Sequence, residues 1–268
     1  MLLQRVNKNG YTYEKNVEPI LLLVPRVEAL ASPNLRIAMG YSRKEEIAKL
    51  RQQRREAKAS KKRKENVREK LVRFLIVCEG TKTEPHYFEA LIKNYISTVR
   101  EVTIEGEGRA TVALVDKTLE IKQELERKNA MSFDRVWVVF DKDDFDDFND
   151  AIKKAHKLGF QSAWTNEAFE LWYYLHFEYL DTGIGREAYI DKLQDAFRKK
   201  MGDDGFKYRK GNPDIYSLLQ LYGREDLAKR FAKQLRALHT GTNYAMHKPC
   251  TMVDKLVEEL EHPESLLE

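Results

Sequence analysis

Two stretches of this chain run through apolar residues and end on an acid. "RFLIVCEG" carries Phe74 to Cys78 straight into Glu79, and "RVWVVFDKDD" carries Val136 to Phe140 into Asp141. A strand with one wet face alternates apolar and polar residues. These runs do not alternate, so each reads as a parallel strand covered on both faces. Parallel neighbours need long crossover connections, usually helices, and helical patterns follow both runs. The chain is thereby constrained to an α/β fold: a mostly parallel, Rossmann-like sheet flanked by helices.

The first strand is expected over Leu71 to Cys78. In "TKTEPHYFEALIKNYI" Thr83 reads as the N-cap and Pro85 sits in the first turn. Phe88, Leu91, Ile92 and Tyr95 recur at helical spacing. "REVTIEGEG" is a short strand leading into a glycine-punctuated loop. "TVALVDKTLEIKQELERKN" is an amphipathic helix whose apolar residues are Leu114, Val115, Leu119, Ile121 and Leu125. After the second apolar run, "FNDAIKKAHKLG" is a helix closed by a left-handed Gly159. "FQSAWTN" is a fourth strand, and "EAFELWYYLHFEYL" a helix capped by Asn166. Later pieces, such as "REAYIDKLQDAFRKKM" and "TMVDKLVEELE", read as helices divided by Gly and Pro. The expected organisation is an N-terminal extension over residues 1–70, an α/β domain over 71–185 and a helical part over 186–268 packed on it.

In an open parallel sheet, ligands gather outside the carboxyl ends of the strands. Glu79 and Asp141 each follow a strand directly, so adjacent strands would bring both carboxylates together. Asp143, two residues on, points the same way in an extended chain. Three crowded carboxylates repel unless a cation joins them, and hard oxygen donors suit Mg²⁺ or Mn²⁺. Glu79, Asp141 and Asp143 are the expected metal ligands, with Glu79 also a general acid or base. Glu170 begins a helix at the same sheet edge among Phe169, Leu171 and Trp172, where a carboxylate needs a partner; it is assigned an assisting role, the alternative being a buried salt bridge. Trp172 and His176 read as core. Asp144, Asp146 and Asp147 read as an acidic helix N-terminus, Gly80 as a turn glycine, Lys82 as either a phosphate holder or a solvated residue, and Thr81 and Thr83 as helix caps.

Charge supplies a second theme. From Arg43 to Arg73 there are 14 Lys or Arg against 5 Glu, so this segment carries +9 in a chain whose net charge is +4, and the rest carries −5. Such an arm, helical or partly disordered, suggests a polyanionic partner, nucleic acid first; the alternative is a solvated, charge-rich helix. No apolar run reaches 18 residues and no signal-peptide pattern opens the chain, so no membrane span and a cytoplasmic location are expected. Two cysteines, Cys78 and Cys250, make no disulfide framework, and His239, His247 and Cys250 fit no strong zinc spacing.

"IVCEGTKTEPHYFEAL", "VVFDKDDF", "NEAFELWYYLHFE" and "MVDKLVEEL" together resemble the RloB-like family, whose members carry a Toprim-type fold. The resemblance covers about residues 71 to 260. It implies kinship with the Toprim domains of topoisomerases, primases and OLD-type nucleases, in which a glutamate and an Asp-x-Asp pair hold Mg²⁺. Glu79 matches that glutamate, and Asp141 and Asp143 match the aspartates. The resemblance also implies a role in bacterial defence against phage by abortive infection, with an ATPase partner. The expectation is therefore a metal-dependent nuclease acting on DNA or RNA. The rival reading is a non-catalytic or partner-controlled effector subunit that docks through the aromatic segment 168–180. A homo-oligomer stays open. One departure is plain: the family's third motif commonly reads Asn-Pro-Cys-Phe-Glu, and here Glu167 and Ala168 occupy its second and third places.

Overall fold

The computed structural model describes residues 48–49, 51–53, 55–56, 72–94, 100–107, 111–142 and 146–267. The chain divides into two compact units, Met1–Val67 and Arg68–Glu268. In the first, the described residues are helical and exposed, and Gln52 donates to Glu56 one turn on, at 3.0 Å. Most of the expected basic arm lies outside the described residues.

The second unit is an α/β fold with helices at its C-terminal end. Its four strands are β1 (Val72–Cys78), β2 (Arg100–Gly106), β3 (Arg135–Lys142) and β4 (Gln161–Asn166). They form one all-parallel sheet in the order β2-β1-β3-β4. The helices are α1 (Thr83–Asn94), α2 (Thr111–Asn129), α3 (Phe148–Lys157), α4 (Glu170–Tyr174), α5 (Arg186–Met201), α6 (Ile215–Tyr222), α7 (Glu225–Ala237) and α8 (Val253–Glu261).

The apolar runs are continuous because both faces of the sheet are covered. Side chains alternate between faces along a strand. Phe74, Ile76, Cys78, Trp137 and Val139 pack on one side with Tyr87, Phe88 and Leu91 of α1 and with residues of α4, α5 and α8. Leu75, Val77, Val136, Val138 and Phe140 pack on the other with Leu114 and Val115 of α2 and Ile152 of α3. Burial pushes the Cys78 thiol well above its ordinary range, as expected for a small core side chain. Among the described residues, no helix is long and apolar enough to cross a membrane.

Three local expectations can be compared with the backbone. Gly159 is left-handed, with φ +75, and the Phe160 N–H closes back on the Ala155 carbonyl at 2.9 Å. Asn166 does not cap a helix. It ends β4, its N–H donates to the Cys250 carbonyl at 2.9 Å, and its side-chain amide donates to the Ala245 carbonyl at 3.0 Å. The helix expected from residue 167 is instead the short α4. The chain enters it through Glu167 at φ +80, a left-handed conformation that costs a non-glycine residue about 1–3 kcal/mol. Residues 168 to 177 of the aromatic segment 168–180 are buried in the core, whereas Glu178 and Tyr179 are exposed.

A segment near residue 251 flanks β4 without a local pattern that marks it. Thr251 pairs antiparallel with Thr165, and the Met252 N–H donates to the Trp164 carbonyl at 2.9 Å. Arg236 holds this segment in place. Its guanidinium donates to the Thr251 carbonyl at 2.8 Å and to both Asp254 oxygens at 2.5 and 2.7 Å. Asp254 is buried, so removing its partner strands a charge. Arg236→Met is expected to cost about 3–5 kcal/mol in denaturant unfolding; an unchanged midpoint would contradict the anchoring role.

Candidate active site

The strand order places the site. The chain runs from β1 to β2 on one side, then crosses to β3 on the other side of β1. The carboxyl ends of β1 and β3 are therefore neighbours at the point where the winding reverses, where open α/β sheets hold their ligands. Glu79 continues the ladder, its N–H donating to the Val139 carbonyl at 2.8 Å. Its Oε2 then accepts the next N–H along β3, that of Asp141, at 3.1 Å.

Asp141 does not lie past the end of its strand. It and Lys142 still pair with Thr165 and Asn166 of β4. The position is nearly sealed, with Asp141 7% exposed. Its Oδ2 accepts the Phe169 N–H at 3.0 Å, from the turn that Glu167 opens. Its Oδ1 is buried and has no hydrogen-bond partner among the described residues. Backbone donors thus orient both carboxylates.

A further acid was missed. Glu84, in the first turn of α1, is 6% exposed, and its Oε2 likewise has no partner among the described residues. Its signal in the sequence is its place five residues after Glu79, in the first turn of the helix that the strand feeds. Helical geometry turns it back toward the strand end. Glu170 is fully buried behind this group. Its Oε1 accepts the Tyr208 hydroxyl at 3.2 Å, and its Oε2 has no partner among the described residues. In place of the expected salt-bridge alternative, the partner found is the Tyr208 hydroxyl.

Burial, then the fields of Glu84, Glu170 and Glu79, push the Asp141 carboxyl well above the ordinary aspartate value of 3.8. Burial also raises Glu84, against the fields of Lys210 and Arg186. Glu79, Glu84 and Asp141 line a cleft of about 330 Å³ together with Gly80, Thr81, Lys82, Thr83, Arg186, Lys210 and Gly211. Lys82 is therefore a cleft residue. Arg186 and Lys210 come from the C-terminal helical part, which the sequence reading did not connect to the site.

Two glycines allow this crowding. A methyl group at Gly80 would stand 2.1 Å from Glu84 Oε2, so Gly80 makes room for a carboxylate and is more than a turn residue. A methyl group at Gly106, the last residue of β2, would stand 2.9 Å from both the Gly80 carbonyl oxygen and Thr81 Cα. Gly106→Ala is expected to cost about 1–3 kcal/mol and to displace the loop carrying Glu79. A Tm indistinguishable from wild type would show that the loop yields freely.

The other expected residues divide clearly. Asp143 and Asp144 lie outside the described residues. Asp146 is exposed, and Asp147 turns away to α2, accepting from the Thr111 hydroxyl and the Val112 N–H at 2.5 and 3.2 Å. Thr83 opens α1 itself, and Thr81 lines the cleft. Trp172 and His176 are core, and burial lowers the His176 pKa to about 4. His239 and His247 stack on each other and turn Nε2 to the Pro249 and Thr240 carbonyls. Among the described residues, no group of three His, Cys, Asp or Glu is arranged to hold a metal ion.

Residues 74–260 match the family model described as RloB-like protein. No curated protein and no solved structure matches the chain.

Proposed function

The chain belongs to the RloB-like family, and from that premise we propose that it is a divalent-cation-dependent nuclease built on Glu79 and Asp141. One observation carries the reading: acids from two separate strand ends are locked together by the Asp141 N–H on Glu79 Oε2, and a buried, unpartnered Asp141 Oδ1 stands beside them. A buried carboxylate oxygen without a donor is costly unless a proton or a cation meets it.

The donor chemistry fits a hard cation. Every candidate is a carboxylate oxygen, and Mg²⁺ is usually held by one or two carboxylates plus water and substrate phosphate rather than by an all-protein cage. Asp141 and Glu79 would hold it, with Glu84 in reserve. When bound, the ion neutralises phosphoryl oxygen charge and lowers the pKa of its water. Glu79, at the half-buried cleft floor, takes the proton from the attacking water. Asp141 is oriented by the Phe169 N–H on Oδ2, which leaves Oδ1 without a donor among the described residues. Glu170 and Tyr208 support these carboxylates from behind. In this reading the enzyme acts in anti-phage defence with an ATPase partner, as the resemblance implies, and the basic segment 43–73 gathers nucleic acid.

The test is incubation of the purified full chain with labelled single-stranded and duplex DNA and RNA, with Mg²⁺, Mn²⁺ or chelator. Cleavage that chelator stops supports the reading. Intact substrate under every condition, with and without the ATPase, overturns it.

A further inference from the structure

We propose that the basic side of the cleft is a seat for one phosphate group of the nucleic-acid strand, formed by the ammonium groups of Lys82 and Lys210 with Arg186 beside them. The inference rests on the nuclease reading for its substrate and deepens it by naming the residues that receive the strand.

These cations come from three separate places: the β1–α1 loop, the start of α5 and the α5–α6 loop. All three line the same cleft as Glu79, Glu84 and Asp141. The backbone around them is fixed. Gly211 is left-handed at φ +72 and packs so closely that a methyl group there would stand 3.2 Å from Lys82 Cβ. Its carbonyl meets the His86 ring Nδ1 at 3.0 Å, and the Tyr208 hydroxyl ties the same loop to Glu170. Arg186 is held by Nε and Nη2 donating to the Glu167 carbonyl at 3.2 and 2.9 Å.

The two lysine tips remain. Both residues are exposed, and among the described residues neither Nζ has a hydrogen-bond or ion-pair partner. Some lysines elsewhere are engaged: Lys154 with Asp116 at 2.6 Å, Lys248 with Glu167 at 2.5 Å, and Lys229 with both Glu225 and Glu261. Others, such as Lys93 and Lys233, are exposed. Lys82 and Lys210 differ from these in lining the acidic cleft. The fields of Lys210 and Arg186 reach Glu84, opposing the effect of its burial. Both lysines line one cleft on adjoining stretches, and lysine is a common point-charge ligand for phosphate. The volume is at the lower end of what encloses a small ligand, so the cleft receives one nucleotide-sized unit at a time.

Binding can be separated from cleavage. Full-length protein in chelator is titrated against a fluorescent single-stranded oligonucleotide at several salt concentrations, with inorganic phosphate as competitor. Lys82→Gln and Lys210→Gln are each expected to weaken binding about tenfold and to reduce the salt slope by about 0.7. Inorganic phosphate should displace the oligonucleotide from wild type and lose that effect in Lys210→Gln. Glu79→Gln, which removes a negative charge from the cleft, binds at least as tightly as wild type. If both lysine variants keep wild-type affinity, salt slope and phosphate competition, the seat is refuted even where Glu79-dependent cleavage persists. Lysine-dependent binding without cleavage by any cation would instead overturn the nuclease reading and leave the seat standing.

Discussion

Glu79→Gln is expected to lower cation-dependent cleavage by about 10²–10⁴-fold while leaving the protein folded. The substitution is nearly isosteric. Its amide oxygen can still accept the Asp141 N–H that Glu79 Oε2 accepts at 3.1 Å, so the β1–β3 ladder end is preserved. What it removes is the proton acceptor and one negative donor. Circular dichroism and Tm should therefore match wild type while the rate falls. Asp141→Asn tests the other donor, and its amide oxygen can keep the Phe169 contact at 3.0 Å. A comparable loss in both variants fits two acids serving one centre, where removing either member disables the unit. Wild-type cleavage by either variant would place the chemistry elsewhere in the molecule.

The sheet was legible because burial on both faces leaves a direct mark. Phe74 to Cys78 and Val136 to Phe140 have no polar break, and the two core clusters on opposite faces of β1 and β3 explain why. The meeting of Glu79 and Asp141 followed from that sheet and one strand adjacency. Other features depend on contacts between residues far apart in sequence. Asn166 looked like a helix cap, but the antiparallel segment at Cys250 claimed its N–H. Helical periodicity through 167–180 could not reveal that Glu167 would turn left-handed and shorten α4. Lys210 reaches the cleft only because the α5–α6 loop is drawn in by His86 and Glu170, and no local pattern encodes that return. Glu84 lay within the quoted motif itself. It was overlooked because an acid in the first turn of a helix has an ordinary explanation in the helix dipole, and its burial beside Gly80 became visible only in three dimensions.

Removing divalent cations is expected to make stability depend on pH in a direction that Asp141 and Glu84 set. Both carboxyls are raised in the folded state above their ordinary values of 3.8 and 4.5. In the unfolded chain they deprotonate at those ordinary values, so between the two limits the folded protein binds more protons. Stability in chelator therefore rises as pH falls from neutral through the raised values, and stops rising near the ordinary ones. Glu126, Glu225 and Glu258 have lowered values and act oppositely, losing their contribution only at more acidic pH. Glu261, raised to about 6 by burial and the adjacent Glu225, adds to the first trend. Asp141→Asn isolates the site from that background: it should raise Tm in chelator at neutral pH and flatten the dependence. A cation does at neutral pH what protons do at lower pH. At about a hundredfold its Kd it should add about 2.7 kcal/mol, at about 2–4 °C of Tm per kcal/mol for a unit of this size. That gain should vanish in Asp141→Asn. A cation-induced shift of equal size in the variant would show that the ion stabilises some other part of the chain, and the buried Oδ1 would then need a proton as its partner.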